Sequence, residues 1–300
     1  MKTKFIIIIC LVTQQFCWAQ NFTDKITKEL SFERKGAENA LMVANINGDV
    51  KVTGYDGDKI MVEVTRKITA KTTERLEQGK TEIQLGVIDR ADTLIVYVEG
   101  ACNNFGKRAK NERSWNSHNG WGYNWSENSG RGRNCNPPYD YTLDFTIKVP
   151  ASVNLILNTI NDGNVTVENV KGTLKVENVN GSIKLTGISR EATATTVNGD
   201  VDVEYVTNPL KDCRFYSLNG DINAWFQKGL AANMSFESFN GDLFTNVDQL
   251  ESLPVTVEKE ERTNGTKYKV KGNRFKIGNG GVFLDFETFN GDVYLKEKTN

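Results

Sequence analysis

Apolar residues recur in groups of three through the middle of the chain, with the second two residues after the first and the third three residues later. A step of two keeps side chains on one face of a strand, and a step of three lets the chain turn a corner and point inward again. The pattern predicts short strands, with two inward-facing runs in each winding of about eighteen residues. The unbroken groups are Val165/Val167/Val170, Leu174/Val176/Val179, Ile183/Leu185/Ile188, Ala192/Ala194/Val197 and Val201/Val203/Val206. Similar groups are Leu41/Val43/Ile46, Val50/Val52/Tyr55, Cys213/Phe215/Leu218, Met234/Phe236/Phe239 and Leu284/Phe286/Phe289.

Polar corners with the sequence Asn-Gly follow many of these groups. Between Asn161 and Asn240 the corner asparagines are 19, 18, 21 and 21 residues apart, and a period near twenty residues is typical of a stacked solenoid. Asn tolerates and Gly favours positive φ, so a tight reversal repeated in every coil selects this pair. Stacked asparagines can also hydrogen-bond to one another. The predicted turn residues are Asn47, Gly48, Asn180, Gly181, Asn198, Gly199, Asn219, Gly220, Asn240, Gly241, Asn290 and Gly291.

The predicted fold class is all-β, a single-stranded right-handed parallel β-helix (β-solenoid) of 18–21-residue coils, with one short helix and a tryptophan-rich insertion. The handedness follows from the general preference of parallel crossovers. A meander of hairpins is the rival architecture, because Asn-Gly is also a type I′ hairpin signal. The alternate corners, such as "VKGTL" and "SREAT", are dissimilar, which favours coils with one constant edge and one variable edge.

Two segments depart from the coil pattern. The stretch "KITAKTTERLEQGK" predicts a short amphipathic helix that ends at Gly79, and "TEIQLGV" and "DTLIVYVEG" predict two strands after it. Residues 251–273 predict a hairpin closed by "RTNGTK". The last strand is expected at the edge of the sheet, where the charged run Lys296, Glu297 and Lys298 would discourage pairing with another chain.

The start of the chain has the pattern of a secretory signal, with two lysines, an apolar run from Phe5 to Val12, and the small residue Ala19 before the cleavage point. No other stretch is long and apolar enough to span a membrane. We expect a signal peptide over 1–19 and a single exported β-solenoid domain over 20–300, in the periplasm or at the bacterial cell surface. The formal net charge of −1 provides no field to attract nucleic acid. Nothing in the sequence fixes the oligomeric state.

Residues 102–135 form an insertion without periodic apolar residues. It contains six basic and two acidic side chains and is therefore positively charged. Cys102 and Cys135 bracket it, which is typical of a loop-closing disulfide in an oxidising compartment, with two unpaired thiols as the alternative. Aromatic rings beside arginines can stack on sugar rings or bind an anionic glycan. The alternative is that these rings cover one face of the sheet. The candidate ligand-binding residues are Trp115, Trp121, Tyr123, Trp125, Arg131 and Arg133.

Residues suited to catalysis or metal binding are few. The one histidine, His118, lies in the insertion, so the sequence predicts no zinc site, no catalytic triad and no cofactor. The corner aspartates could bind calcium, or at Asp200 and Asp221 serve a polysaccharide lyase, but one acid per coil favours simple capping of the turns. Cys213 is interpreted as a buried apolar side chain. The corner aspartates are Asp49, Asp200, Asp221, Asp242 and Asp292.

The repeated "NGD" corners, the stretch "FTIKVPASVNLILNTINDGNV" and the closing "IGNGGVFLDFETFNGDVYL" resemble the bacterial putative-adhesin domain family of unknown function, over roughly residues 38–298 apart from the insertion. The resemblance implies an exported β-solenoid similar to adhesin head domains, with no established enzymatic activity. We expect a non-catalytic, adhesin-like envelope protein that binds a glycan or another envelope component. The alternatives are a carbohydrate-active lyase or hydrolase on a β-helix, and a structural or signalling module without glycan binding.

Overall fold

The structure, a computed structural model, describes residues 19–100, 105, 136–262 and 265–299. Nearly all of its regular elements are strands, which confirms the all-β prediction. The first elements are β1 (Gln20–Leu30), β2 (Ala40–Ala44), β3 (Val50–Tyr55), β4 (Ile60–Ala70), α1 (Thr73–Glu82), β5 (Gln84–Asp89), β6 (Thr93–Glu99) and β7 (Tyr139–Pro150). The middle strands are β8 (Asn154–Asn158), β9 (Val165–Glu168), β10 (Leu174–Glu177), β11 (Ile183–Ile188), β12 (Ala192–Asn198), β13 (Val201–Tyr205), β14 (Cys213–Asn219) and β15 (Ile222–Phe226). The last strands are β16 (Ala232–Glu237), β17 (Leu243–Thr245), β18 (Leu250–Ser252), β19 (Thr256–Arg262), β20 (Gly265–Lys271), β21 (Arg274–Ile277), β22 (Val282–Asn290) and β23 (Val293–Glu297).

Two large sheets share one apolar core. Sheet A has the strand order β1-β4-β7-β3-β9-β11-β13-β15-β23-β17, and sheet B has the order β18-β21-β16-β22-β14-β12-β10-β8-β2-β6-β5. From β8 to β15 the chain alternates between the sheets, so each coil contributes one strand to each. Neighbouring strands of these coils are parallel, and Leu174 lies opposite Leu155 on one side and Ala192 on the other. The handedness of the winding stays a prediction.

The ends of both sheets are antiparallel, so the sheets are mixed and the prediction of an all-parallel solenoid is wrong there. In sheet A, β4 pairs antiparallel with β1 and with β7. In sheet B, β5 pairs antiparallel with β6, and β21 pairs antiparallel with β16 and β18. Of these pairs, only β5 and β6 follow each other directly along the chain, and such a direct return gives an antiparallel pair. In the other pairs, strands of the other sheet or the β19–β20 hairpin lie between the two partners.

The coils do not stack in sequence order. The pair β22/β23 lies between β14/β15 and β16/β17, so Lys296 and its charged neighbours are not on an edge strand, and that prediction is wrong. On β23, Val293 and Leu295 are fully buried, whereas Leu243 of the three-residue strand β17 is only half-buried. The strand with more apolar surface to bury takes the interior place, because burial of apolar area is the main favourable contribution to packing.

The inward positions at steps of two residues are buried in all strands from β8 to β15, as in Val165, Leu174 and Ile183. The third position agrees with the prediction only in sheet A. There Asn169 (φ 59°) and Gly187 (φ 72°) are in the left-handed region, and this extra residue turns Val170 and Ile188 inward.

In sheet B the strand alternation simply continues, so the prediction for the third apolar residue is wrong. A polar residue points inward two residues after the second apolar position, and the apolar residue after it points outward. The buried polar residues are Asn178, Thr196, Ser217 and Thr288, and the outward residues beside them are Val179, Val197, Leu218 and Phe289. In sheet A, Val206 is likewise 51% exposed because Tyr205 takes the inward place.

The helix α1 begins at Thr73, because the side chain of Thr72 accepts a hydrogen bond from the backbone N–H of Arg75 and caps the first turn. The predicted end at Gly79 is wrong. The helix continues to Glu82, and Gly79 is buried where a Cβ would lie 2.8 Å from a methyl group of Ile68. Among the described residues no helix is long and apolar enough to cross a membrane. The predicted hairpin corresponds to β19 and β20.

Replacement of Gly199 by alanine is expected to lower the free energy of unfolding by about 2–4 kcal/mol. The φ of Gly199 is +146°, and a Cβ there would lie 2.5 Å from the carbonyl oxygen of Gly181 in the next coil. Gly272→Ala is the matched control, because no atom lies within 4 Å of the Cβ that it would add. Urea unfolding followed by circular dichroism measures both, and equal effects would contradict the close stacking of the corners.

Candidate functional site

The Asn-Gly corners form one continuous row along the edge where each coil passes from sheet B to sheet A. Except for Asn47, which only accepts at one end of the row, each corner asparagine donates a hydrogen bond from its side-chain Nδ2 to the side-chain Oδ1 of the asparagine in the next coil. The row runs without a break through seven coils and places all amide groups in the same orientation. The donor–acceptor pairs are Asn161–Asn47 (3.1 Å), Asn180–Asn161 (3.4 Å), Asn198–Asn180 (2.8 Å), Asn219–Asn198 (2.9 Å), Asn290–Asn219 (2.8 Å) and Asn240–Asn290 (2.8 Å).

The corner aspartates make a second row that binds the backbone. Oδ1 of Asp200 accepts from the N–H of Asp221 at 2.9 Å, and Oδ1 of Asp221 accepts from the N–H of Asp292 at 2.8 Å. Asn164 and Ser182 serve the same role in their coils. One oxygen of Asp200 and one of Asp221 are thereby used for the turn, which supports the capping interpretation for these two residues. Within the described ranges, no three His, Cys, Asp or Glu side chains are grouped to hold a metal ion.

The inward-pointing polar side chains of sheet B hydrogen-bond to the corners from the core side. Nδ2 of Asn178 donates to the carbonyl of Gly163 at 2.9 Å, and the hydroxyl of Thr196 donates to the carbonyl of Gly181 at 2.9 Å. A buried polar group is costly unless it is hydrogen-bonded, and here the corner glycine supplies the acceptor. Structural hydrogen bonds therefore hold the corner both from the core side and along the asparagine and aspartate rows.

The tryptophan-rich insertion takes the place of one such corner, because it joins β6 of sheet B to β7 of sheet A. The predicted ligand-binding residues and the two cysteines that bracket them lie outside the described residues. Phe105 is described, and its ring lies 5.2 Å from that of Tyr97 in a second apolar cluster with Met42 and Ile95. Phe105 thereby covers part of the outer face of sheet B, and both alternatives for the tryptophans of the insertion stay predictions. The predicted site residues that lie outside the described ranges are Trp115, Trp121, Tyr123, Trp125, Arg131, Arg133, Cys102 and Cys135.

An open groove with a volume of about 290 Å³ lies on the outer face of sheet A. Two rows of outward side chains cross the strands there, and we call this surface the Trp225 groove. The first row places Lys184 beside Asp202 and then Asn223, and the second places Glu204 beside Trp225. The residues whose side chains line the groove are Lys184, Thr186, Asp202, Glu204, Trp225 and Lys298.

The charges around the groove are partly paired. Nζ of Lys298 lies 2.6 Å from the carboxylate of Glu204, and Asp202 accepts a hydrogen bond from Asn223 at 2.9 Å. The ammonium group of Lys296 lies 5.7 Å from the centre of the Trp225 ring, within cation–π range. In the part of the chain that the structure describes, neither Lys184 nor Lys296 has a carboxylate within ion-pair distance. The groove thus combines an aromatic wall with a small excess of positive charge.

The aromatic surface continues toward the end of sheet A. The ring of Tyr294 stacks on that of Phe244 with centres 5.1 Å apart, and Lys296 also lies 5.3 Å from the Tyr294 ring. The sequence interpretation did not include this surface. The signal was present in "INAWF", where Ile222, Ala224 and Phe226 face inward and strand alternation therefore turns Trp225 outward.

The family of the chain is shown by a match that covers the repeated coils. A family model described as Toastrack DUF4097 matches residues 144–295, just over half of the chain, and this range contains the coils from β8 to β23. The chain belongs to the Toastrack DUF4097 family. This agrees with the resemblance to a putative-adhesin domain of unknown function. The Toastrack match includes most of the Trp225 groove but not Lys296 or Lys298, and it includes neither the insertion nor the first six strands.

Two solved structures resemble this Toastrack protein at low identity. A putative cell adhesion protein from Clostridium sporogenes ATCC 15579 is 10% identical, with a TM-score of 0.39, over 92% of this chain and 100% of that one. A putative adhesin from Bacteroides fragilis NCTC 9343 is 12% identical, with a TM-score of 0.32, over 92% of this chain and 97% of that one. Both similarities are too low to assign a ligand or an activity. No curated protein matches the chain.

Replacement of Asn198 by alanine removes two links of the asparagine row, whereas replacement of Asn240 at its end removes one. We expect Asn198→Ala to lower the free energy of unfolding by about 1–2 kcal/mol, roughly twice the effect of Asn240→Ala, since an amide hydrogen bond contributes about 0.5–1.5 kcal/mol. Thermal unfolding by calorimetry compares the two. An Asn198→Ala effect no larger than that of Asn240→Ala would contradict a cooperative row.

Cys213 is 3% exposed, and its Sγ lies 3.2 Å from the hydroxyl of Tyr205. Burial raises the pKa of the Cys213 thiol, so the reactive thiolate is scarce in the folded protein. In a Cys102→Ser/Cys135→Ser background at pH 8, we expect a thiol reagent to label Cys213 at least about a hundredfold more slowly than in the urea-unfolded chain. Mass spectrometry measures the labelling, and rapid reaction in the folded state would contradict the buried position.

Proposed function

We propose that this protein is a non-catalytic, exported envelope protein with an adhesin-like role, and that it binds an acidic glycan in the Trp225 groove. The observation that carries the proposal is a half-buried tryptophan on the outer face of a regular sheet, beside lysines without carboxylate partners among the described residues. Packing of the core does not require a tryptophan at this position, because Trp225 points away from it. Outward aromatic side chains on such a surface are typical of binding sites.

The shape of the Trp225 groove suits a chain of sugar rings. It crosses parallel strands that are about 4.8 Å apart, so outward-pointing positions recur at regular intervals along it. Trp225 offers an aromatic surface to the apolar face of one ring. Asp202, Asn223 and Thr186 offer acceptors and donors to sugar hydroxyls. A linear polymer can therefore place successive units against successive strands.

The charge of the groove favours an acidic polymer over a neutral one. Glu204 offsets Lys298, and Asp202 lies opposite Lys184 on the next strand, so with Lys296 the groove has an excess of one positive charge to attract a carboxylate or sulfate group. Lys184 is exposed and free to reach a ligand. Attraction between exposed charges weakens as salt is added, so binding by this groove should decline with ionic strength.

The hypothesis of a polysaccharide lyase finds no support in the corner aspartates. Asp200 and Asp221, the acids considered for that role, each use one oxygen to accept a backbone N–H of the next coil. Each of these coils contributes an oxygen acceptor at the same place, and in two coils Asn164 or Ser182 takes the place of the aspartate. That repetition is typical of a structural element and differs from a paired acid and base with distinct environments.

The test is binding of the purified protein to an array of neutral and acidic polysaccharides. We expect binding to acidic members, and we expect Trp225→Ala to weaken it at least about tenfold, because loss of a stacked aromatic removes roughly 1–3 kcal/mol. The thermal midpoint should change little, since Trp225 lies outside the core. Lys184→Ala should weaken binding less and reduce its salt dependence.

Tyr216→Ala is the matched control, because Tyr216 is also an outward, half-buried aromatic but lies on sheet B. Its binding should equal that of the unaltered protein. Retained binding in Trp225→Ala would refute the groove. A second variant in which Trp115, Trp121 and Trp125 are replaced by alanine then tests the insertion, and loss of binding only there would assign the ligand to the insertion.

A further inference from the structure

The first strand of the protein leaves one long edge of sheet A open. All eleven residues of β1 pair with β4 without a register shift. In the described part of the chain no strand pairs with the other edge of β1. The strand contains neither proline nor a bulge, two of the devices that commonly protect an edge from pairing with another chain. Its charged residues are the device of this kind that it does carry, so a partner strand must place opposite charges against them.

The apolar side chains of β1 are incompletely buried. Phe22, Ile26 and Leu30 point to the core side of sheet A, yet all three remain half-exposed. Their partners across β4 are fully buried, as with Val64 beside Ile26. The difference arises because β1 has a neighbour on one side only. Another strand on the open edge would bury the remaining apolar surface.

Two antiparallel copies of β1 are complementary when Ile26 of one copy lies opposite Ile26 of the other. In that register Phe22 lies opposite Leu30 of a second copy, Ile26 lies opposite Ile26, and Asp24 lies opposite Lys28. Directly opposite residues of antiparallel strands have Cβ atoms about 4.5–5.5 Å apart, so apolar pairs and opposite charges both stabilise the pairing. The Asp24–Lys28 contact occurs twice across a two-fold axis.

The neighbouring two-fold registers are unfavourable. A register centred on Lys25 places two lysines opposite each other and Phe22 opposite Lys28. A register centred on Thr27 places Ile26 opposite Lys28 and Asp24 opposite Leu30. The side-chain pattern of β1 therefore favours one register of pairing with a second copy of itself. An edge that pairs with unrelated strands would not need such self-complementarity.

The existing charge contacts leave Lys28 free for this role. Lys25 pairs with Glu63 at 2.7 Å, and Glu29 pairs with Lys59. Lys28 is exposed and has no carboxylate within ion-pair distance among the residues that the structure describes. Asp24 binds Arg66, but its side chain is 32% exposed and can accept a further hydrogen bond.

We propose that two copies of this protein associate through their β1 strands, antiparallel and centred on Ile26, to join their A sheets into one continuous sheet. The partner is a second copy of this chain, and the Trp225 groove lies near the opposite end of each sheet A. A dimer would carry two such grooves.

Disulfide trapping tests the register. The protein is expressed with its own leader, purified after processing, and carries Cys102→Ser and Cys135→Ser, while Cys213 is buried. Ile26→Cys should give a disulfide-linked dimer under mild oxidation. Lys28→Cys is the matched control, because its two copies would be about four residues, or roughly 14 Å, apart along the strands, too far for a disulfide. Equal cross-linking of both variants would overturn the register.

Light scattering after size-exclusion chromatography tests the association itself. We expect a dimer for the unaltered protein and at least about tenfold weaker association for Lys28→Glu, which places like charges opposite Asp24 twice. Lys35→Glu makes the same charge change at an exposed site off the strand and should remain dimeric. A monomer for the unaltered protein, or a dimer that Lys28→Glu leaves unchanged while Ile26→Cys fails to cross-link, would overturn the proposal.

Discussion

The close approach of the corner backbones is the constraint on which the rest of the structure depends. A Cβ on Gly163, Gly181 or Gly220 would overlap the carbonyl group of the corner glycine in the adjacent coil. Only a residue without a side chain allows the coils to reach the spacing that parallel strands require. At that spacing the asparagine amides come within hydrogen-bond distance, and the aspartate side chains reach the backbone of the next coil. Both rows of hydrogen bonds follow from the glycine contact.

Identical corners also make the coils interchangeable in the stack. The corner of Asn290 stacks directly on that of Asn219, 71 residues earlier, and Asn240 stacks outside it. The corner of Asn47 stacks in the same way on Asn161, across 114 residues. Because any corner fits any other, the corner sequence does not determine the order of the coils. The burial of the strands between the corners does, and β23 with its two fully buried residues lies inside β17.

The sequence predicted the inward faces of the coils well, because a step of two residues has one physical meaning in a strand. It predicted the third inward position correctly only where Asn169 or Gly187 adopts a left-handed conformation. The apolar pattern is the same in the strands where Asn178 or Thr196 points inward. These polar side chains can be buried only because a carbonyl of another coil accepts their hydrogen bond, and the local sequence does not show that contact. The order of the coils was unpredictable for the same reason, because it is set by contacts between segments far apart in sequence. Trp225 was predictable from alternation alone, whereas its neighbour Lys296 becomes visible only once β23 is placed beside β15.

The arrangement separates positions that must be alike from positions that can differ. The inward row through Val165, Ile183 and Val201 is aliphatic in every coil, because each side chain fills the same space between the sheets. The outward row beside it changes at each strand, from Lys184 to Asp202 and on to Tyr294, since solvent imposes no common shape. Chemical variety in this fold therefore accumulates on the outer faces, on a scaffold whose spacing the corners hold fixed. A linear polymer with its own regular spacing is the kind of ligand that could contact such a surface at successive strands. The Trp225 groove is the part of this surface where aromatic and cationic side chains lie together.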